Sequence, residues 1–150
     1  IGHLNWITAF PSDSGSGHFK SQPERRPRLH VGEHSAITNR HLIDCTGEVR
    51  IGRFTTFAGF RSQALSHSID LHLCQQRAQP ISIGDYCFVG TGCILLGGAQ
   101  LPNFSVLGAG SVLNKAFDTP YSLYAGAPSE LRKPLSPDMA YFHRTKGFVW

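Results

Sequence analysis

An aliphatic residue recurs at Val89, Leu95, Leu101, Leu107 and Leu113, every sixth position of "VGTGCILLGGAQLPNFSVLGAGSVL". The residue two places before each is small: Cys87, Cys93, Ala99, Ser105 and Ser111. At about 100° per residue, helical positions six apart point in different directions, so no helix presents this series on one face. Six is even, so on extended chain every marked residue points to the same side, together with its partner two places back. The residues between, "GT", "LGG", "PN" and "GA", read as turns. Short strands that each turn one small–large pair inward must curl. Three such sides close a triangle of ~18 residues, and stacked triangles bury the aliphatic column.

The pattern extends upstream less regularly. Val31, Ile37, Ile43 and Val49 keep the interval, Ile51 and Phe57 resume it after a two-residue slip, and Ile83 restarts it. "LHLCQQRAQP", residues 71–80, breaks the register and reads as an ejected loop. Residues 11–28 have loop composition and are expected to project, and "IGHLNWITAF" reads as an earlier coil or an N-terminal cap. Coils are assigned to 29–66 and 81–118, within one 29–118 body. In the 119–150 cap, the prolines of "TPYSLYAGAPSELRKPL" argue against a regular strand. A short helix is expected over 137–146, capped by Ser136 with Pro137 at its first position, plugging the open end of the prism. The expectation is one all-β domain over residues 1–150. The chain starts at Ile1 and reads as a fragment or a processed form.

Composition agrees with a turn-rich β architecture: 16 glycines among 150 residues, and only 16% charged side chains. The net charge of +4 suits an anionic ligand, but without clustered Lys/Arg it argues against nucleic acid. The densest cationic run, "PERRPR" at 23–28, reads as a solvated loop. No apolar run reaches the ~20 residues of a membrane helix. No signal peptide is visible. Cys45, Cys74, Cys87 and Cys93 form no C-x-x-C pair, which argues against a zinc knuckle. Cys87 and Cys93 fall on inward positions, so buried reduced thiols are expected, favouring the cytoplasm.

"IGDYCFVGTGCILLGGAQLPNFSVLGAGSVLNK", with "SHSID" and "AGAPSELRK", resembles the hexapeptide-repeat acyltransferases over roughly residues 29–133. It is closest to the branch that O-acetylates sugars, as in maltose, galactoside and colanic-acid acetyltransferases. The resemblance implies a left-handed parallel β-helix, acetyl-CoA as co-substrate without a metal, a saccharide acceptor, and a homotrimer with its site between neighbouring prisms. A trimer interface would also cover Phe54, Phe60 and Phe88. His67, where the coils give way to the loop, corresponds to the family's catalytic His, and imidazole titrates near neutrality as a general base must. Asp70 either orients that ring or caps the loop. Asn39 and Asp44 match an Asn and an Asp that line the acceptor site in the family; alternatively "TNRHLID" is a polar turn. His41 occupies a register position that is usually small. Gly90, Thr91, Gly108 and Ala109 correspond to walls of the carrier groove, and Lys115 and Arg132 to cations for the phosphates of coenzyme A. Two other readings stand beside this one. His67 and His72 form H-x4-H, which with His30 or His34 would resemble a γ-class carbonic anhydrase zinc site. A β-helix without chemistry would serve as a scaffold.

Overall fold

The computed structural model describes residues 1–150 and is a three-sided parallel β-helix. The chain visits three faces in strict rotation. The first coil is β1 (Trp6–Thr8) on face 1, β2 (Leu29–Val31) on face 2 and β3 (Ala36–Asn39) on face 3. The second repeats this with β4 (Leu42–Asp44), β5 (Val49–Ile51) and β6 (Thr56–Phe60). In the third, β7 (Gln63–Leu65) gives way to an antiparallel hairpin, β8 (His67–Asp70) and β9 (Gln75–Ala78), before β10 (Ile81–Ile83) and β11 (Phe88–Val89). The fourth is β12 (Ile94–Leu96), β13 (Gln100–Leu101) and β14 (Val106–Leu107). The fifth has β15 (Val112–Leu113), a single bridge at Ala116, and β16 (Ser122–Ala125). An antiparallel strand, β17 (Glu130–Pro134), closes face 3.

The interior is the predicted column. Val89, Leu95, Leu107 and Leu113 are fully buried, Leu101 nearly so, and Cys87, Cys93, Ala99, Ser105 and Ser111 lie beside them. Parallel pairing keeps like positions in register, for example Ile51 on Ile83 and Ile83 on Leu101. Burial raises the Cys87 thiol to about 12 and the Cys45 thiol to about 11, so both stay protonated. The slip between Ile43 and Ile51 is a wider 1/2 corner, residues 45–48, between β4 and β5.

The 2/3 corner carries one aromatic per coil. His34, Phe54, Tyr86, Phe104 and Tyr121 form a ladder with successive ring centroids 4.7, 4.7, 5.4 and 4.7 Å apart. All five have left-handed backbone, with φ from 50 to 58°. Each such residue costs ~1–2 kcal/mol, and a stacked ring pair returns ~0.5–1.5 kcal/mol beyond its buried area. Phe54 is therefore covered within its own chain rather than at a subunit interface. Phe88 is half-buried edge-on to Tyr141, and only Phe60 stays exposed.

Several terminal expectations are corrected. Residues 137–146 hold only one 3-10 turn, Ala140–His143, preceded by extended Met139 without a side-chain cap. Specific contacts pin this segment along the 2/3 corner. Tyr141 donates to the Cys87 carbonyl, Phe142 packs on Phe104, and Arg144 donates to the Phe54 carbonyl. It runs beside the prism and does not plug its end. The 119–135 segment does form strands, because Pro120 precedes β16, Pro128 lies between β16 and β17, and Pro134 ends β17, where no ladder donor is needed. Residues 1–10 supply β1 to face 1, in register with β4. No helix is long and apolar enough to cross a membrane.

His41, at a position that is usually small, is 1% exposed. Its Nδ1 accepts from the Ser62 N–H at 3.1 Å, and its Nε2 donates to the Thr38 hydroxyl at 2.9 Å. That pattern requires a neutral ring. Burial moves its pKa below the ordinary 6.5. The unfolded chain thus binds a proton that the folded chain refuses. This stability is complete above pH 6.5 and is lost as pH falls towards the lowered value. The stability difference between wild type and His41→Asn, measured by denaturant unfolding, is expected to shrink as pH drops from 7 to 5. Replacing Leu107 by Ala should cost ~2–5 kcal/mol in the same assay, as the column cannot collapse around the gap.

Candidate active site

Three consecutive coils depart from the six-residue rule, all at the 1/2 corner. The first inserts residues 9–28, the second two extra residues at 45–48, and the third the hairpin region 66–80. Because coils are stacked ~4.8 Å apart, these departures become neighbours, and the site is built from them.

Asp44 ends β4 inside this corner and is 4% exposed. Its Oδ2 accepts from His67 Nδ1 at 2.7 Å, the His67 N–H at 3.2 Å, the Ser66 N–H at 3.1 Å and the Ser66 hydroxyl at 3.0 Å. Its Oδ1 accepts from the Thr46 hydroxyl at 2.6 Å and the Thr46 N–H at 3.1 Å. Burial alone would raise the Asp44 pKa. The hydrogen bonds from Thr46 and His67, with the attraction of the His67 charge, outweigh it and hold the carboxyl below its ordinary range. A carboxylate bonded to Nδ1 fixes the neutral tautomer of His67: proton on Nδ1, lone pair on Nε2. The His67 side chain is 42% exposed, so Nε2 is open to a reactant.

The structure thus gives Asp44 the orienting place that Asp70 was considered for. Asp70 lies at the far end of β8. Its Oδ1 accepts from the N–H groups of His72 and Leu73, and its Oδ2 lies 3.7 Å from Arg77. It caps the hairpin turn, because the antiparallel strand carries it away from the corner. Of the predicted loop 71–80, residues 75–78 are the second strand of this ladder and 71–74 its turn.

Residues 9–28 do not project but fold back as a strap over the corner. Arg25 donates to the carbonyls of Phe10 at 2.7 Å, Thr46 at 2.6 Å and Pro11 at 3.1 Å, and lies 4.4 Å from the centroid of the Phe19 ring. One arginine of "PERRPR" is therefore anchored rather than solvated. The Phe10 N–H donates to the Thr46 hydroxyl. The Gln22 side chain pairs with the Ala78 backbone in both directions, at 3.0 and 2.7 Å, and Ala78 is the cross-strand partner of His67. Phe19, 7% exposed, meets the His67 ring edge-on with centroids 6.0 Å apart. None of Thr46, Ser66, Gln22 or Phe19 was singled out in the sequence, although the two-residue slip marks this corner.

The remaining predicted residues divide between two edges. Lys115 follows β15 at the 1/2 corner, two coils and roughly 10 Å above His67 along the axis. Asn39 ends β3 at the 3/1 corner and accepts from the His3 N–H at 2.8 Å, beside a cavity of about 420 Å³ that includes Arg40 and Phe60. Asn39 and Asp44 are thus not together, since β4 separates them across face 1. Gly90 and Thr91 follow β11 at the same 3/1 corner, and Gly108 and Ala109 follow β14 directly above. A Cβ on Gly90 would stand 2.6 Å from the Ala109 nitrogen, so this glycine also serves the stacking of coils. The Thr91 hydroxyl donates to the Phe60 carbonyl at 2.9 Å. Next along, Gly92 and Gly110 have positive φ and would direct a Cβ into open space, leaving an edge bare enough for a chain to lie along it. Arg132 donates to the Ala125 carbonyl at 2.9 Å near the top of this edge. The two sets stand apart by the width of face 1, roughly 15 Å.

His72 sits in the exposed hairpin turn, His34 in the aromatic ladder and His30 on face 2. No three His, Cys, Asp or Glu side chains converge on a metal position within the chain.

No protein-family model matches the sequence. The fold is that of solved hexapeptide-repeat acetyltransferases. Galactoside acetyltransferase in complex with coenzyme A superposes with a TM-score of 0.69 at 19% identity, over 99% of this chain and 72% of that one. A maltose O-acetyltransferase from Clostridium difficile gives 0.69 at 20%, over 91% and 67%. A hexapeptide-repeat acetyltransferase from Vibrio cholerae gives 0.68 at 19%, over 91% and 73%.

Two measurements test the corner. Nitrogen-15 NMR of histidine is expected to show neutral His67 protonated on Nδ1, and Asp44→Asn to remove that preference. Arg25→Gln is expected to speed amide exchange across residues 9–28 by at least tenfold while leaving β10–β15 unchanged.

Proposed function

We propose that the protein is an acyl-CoA-dependent O-acetyltransferase that moves acetyl from acetyl-CoA to a hydroxyl of a sugar or related small molecule. The observation that carries this reading is the Asp44–His67 pair: a buried carboxylate on Nδ1 of a ring whose other edge is exposed, on a fold shared with acetyltransferases. The coil then winds left-handed, as the sequence resemblance implies. The edge at Gly90, Thr91, Gly108 and Ala109 fits an extended pantetheine arm, whose amides pair with backbone groups; Arg132 near the top of that edge, and Lys115 across face 1 from a neighbouring copy, fit its phosphates.

His67 Nε2 removes the proton from the acceptor hydroxyl as its oxygen attacks the thioester carbon. Asp44 stabilises the imidazolium that forms and keeps the ring aimed. When the tetrahedral intermediate collapses, the carbon–sulfur bond breaks and the imidazolium returns the proton to the departing thiolate. The step needs no cysteine, and Cys45 and Cys87 are held protonated in the core.

The separation of His67 from the bare 3/1 edge supports a homotrimer in which the base of one copy faces the carrier edge of the next. Free thiols suit a reducing compartment such as the cytoplasm.

His67→Ala is expected to lower acceptor-dependent release of CoA thiol by about 10²–10⁴-fold, the usual contribution of a positioned base. Turnover within threefold of wild type would remove the mechanism.

A further inference from the structure

Between the strap and the hairpin lies a cavity of about 570 Å³, within the ordinary range for small-molecule sites. His18, Phe19, Lys20, Ile69, Gln75 and Gln76 form most of its wall. Ile69 stands two places after His67 on β8, so both project from one face of the hairpin. Phe19 touches the cavity and meets the His67 ring. His67 does not itself line the cavity; Phe19 stands between the two and touches both, and the strap that carries it gives the cavity its second wall.

Its polar lining is rich in donors. Lys20 supplies an ammonium, Gln75 and Gln76 supply amides, and Ser21 a hydroxyl. Lys20 has no ion-pair partner. No Asp or Glu lines the cavity. The hairpin's own carboxylate, Asp70, is taken up by the turn and Arg77. Amides recognise hydroxyls of any sugar, but an unpaired cation without a facing carboxylate discriminates by charge.

The geometry points to this cavity as the acceptor site, and to an acceptor that carries a negative charge beside its hydroxyls: a sugar acid rather than a neutral or amino sugar. The inference rests on the acyl-transfer reading and deepens it. A single charge pair at 4 Å in solvent is worth about fivefold in kcat/KM, which corresponds to ~1 kcal/mol.

The test uses galacturonate, galactose and galactosamine, the first and last differing from galactose at one substituent each, with CoA thiol release as readout. Galacturonate should exceed galactose about fivefold in kcat/KM, with galactosamine lowest, and Lys20→Gln should bring galacturonate down to the level of galactose. Equal or better turnover of either other sugar, or an unchanged preference in the Lys20→Gln protein, overturns the inference. If no sugar turns over, the side-chain amides of Gln75 and Gln76 are followed by NMR during titration with galacturonate. Shifts that weaken in the Lys20→Gln protein support the site, and no shifts overturn it. Failure of the acyl-transfer reading is seen separately, as equal thiol release by wild type and His67→Ala.

Discussion

The stacking of inward pairs governs everything else in this molecule. The central coils turn inward pairs, mostly small–large, into a narrow prism, and each pair lies on its counterpart in the next coil. Ile51 on Ile83 on Leu101 is one such line. A fully buried Leu or Ile contributes ~1.5–3 kcal/mol, so shifting a strand by one residue would turn an entire line outward. Extra residues can enter only where the chain changes face. That is why all three large departures from the repeat sit at corners, and why polar and charged groups collect there.

The 1/2 corner shows what such a departure permits. The two additional residues at 45–48 open a pocket in which Asp44 meets six donors from Thr46, Ser66 and His67. A buried carboxylate without them would protonate. With them it stays charged and supplies a fixed acceptor for one imidazole nitrogen. The rigid prism below does not position His67 directly. It positions Asp44, and Asp44 with the hairpin positions His67.

Much of the fold was legible in the sequence because its signal is local and repeated. The interval of six, the small residue two places back and the loop-like break over 71–80 lead directly to the core and to the third-coil insertion. What was not legible depends on which corners share an edge. N-x4-D in "TNRHLID" reads as one polar cluster, yet Asn39 and Asp44 flank opposite ends of β4. Asp70 is three residues from His67 and was weighed as its partner, whereas the actual partner is 23 residues away and adjacent only through stacking. Arg25 looked solvated because its partners are backbone carbonyls, which leave no trace in composition. The helix expected after Ser136 failed for a related reason: Tyr141, Phe142 and Arg144 each have a tertiary partner along the prism, and those contacts override a cap signal worth ~1 kcal/mol.

The strap and the dyad are also linked electrostatically. Arg25 is half-buried, and burial lowers its pKa while the charge of Asp44 raises it. The same carboxylate therefore helps hold the strap by charge and through Thr46, which takes hydrogen bonds from Phe10 and Arg25 on the strap side and donates to Asp44 on the other. Protonating Asp44 would weaken both the seat of His67 and the closure of the cavity behind Phe19. Because its pKa is depressed, this coupled loss falls below the ordinary carboxylate range, and near neutral pH the strap, the dyad and the cavity behave as one assembled unit.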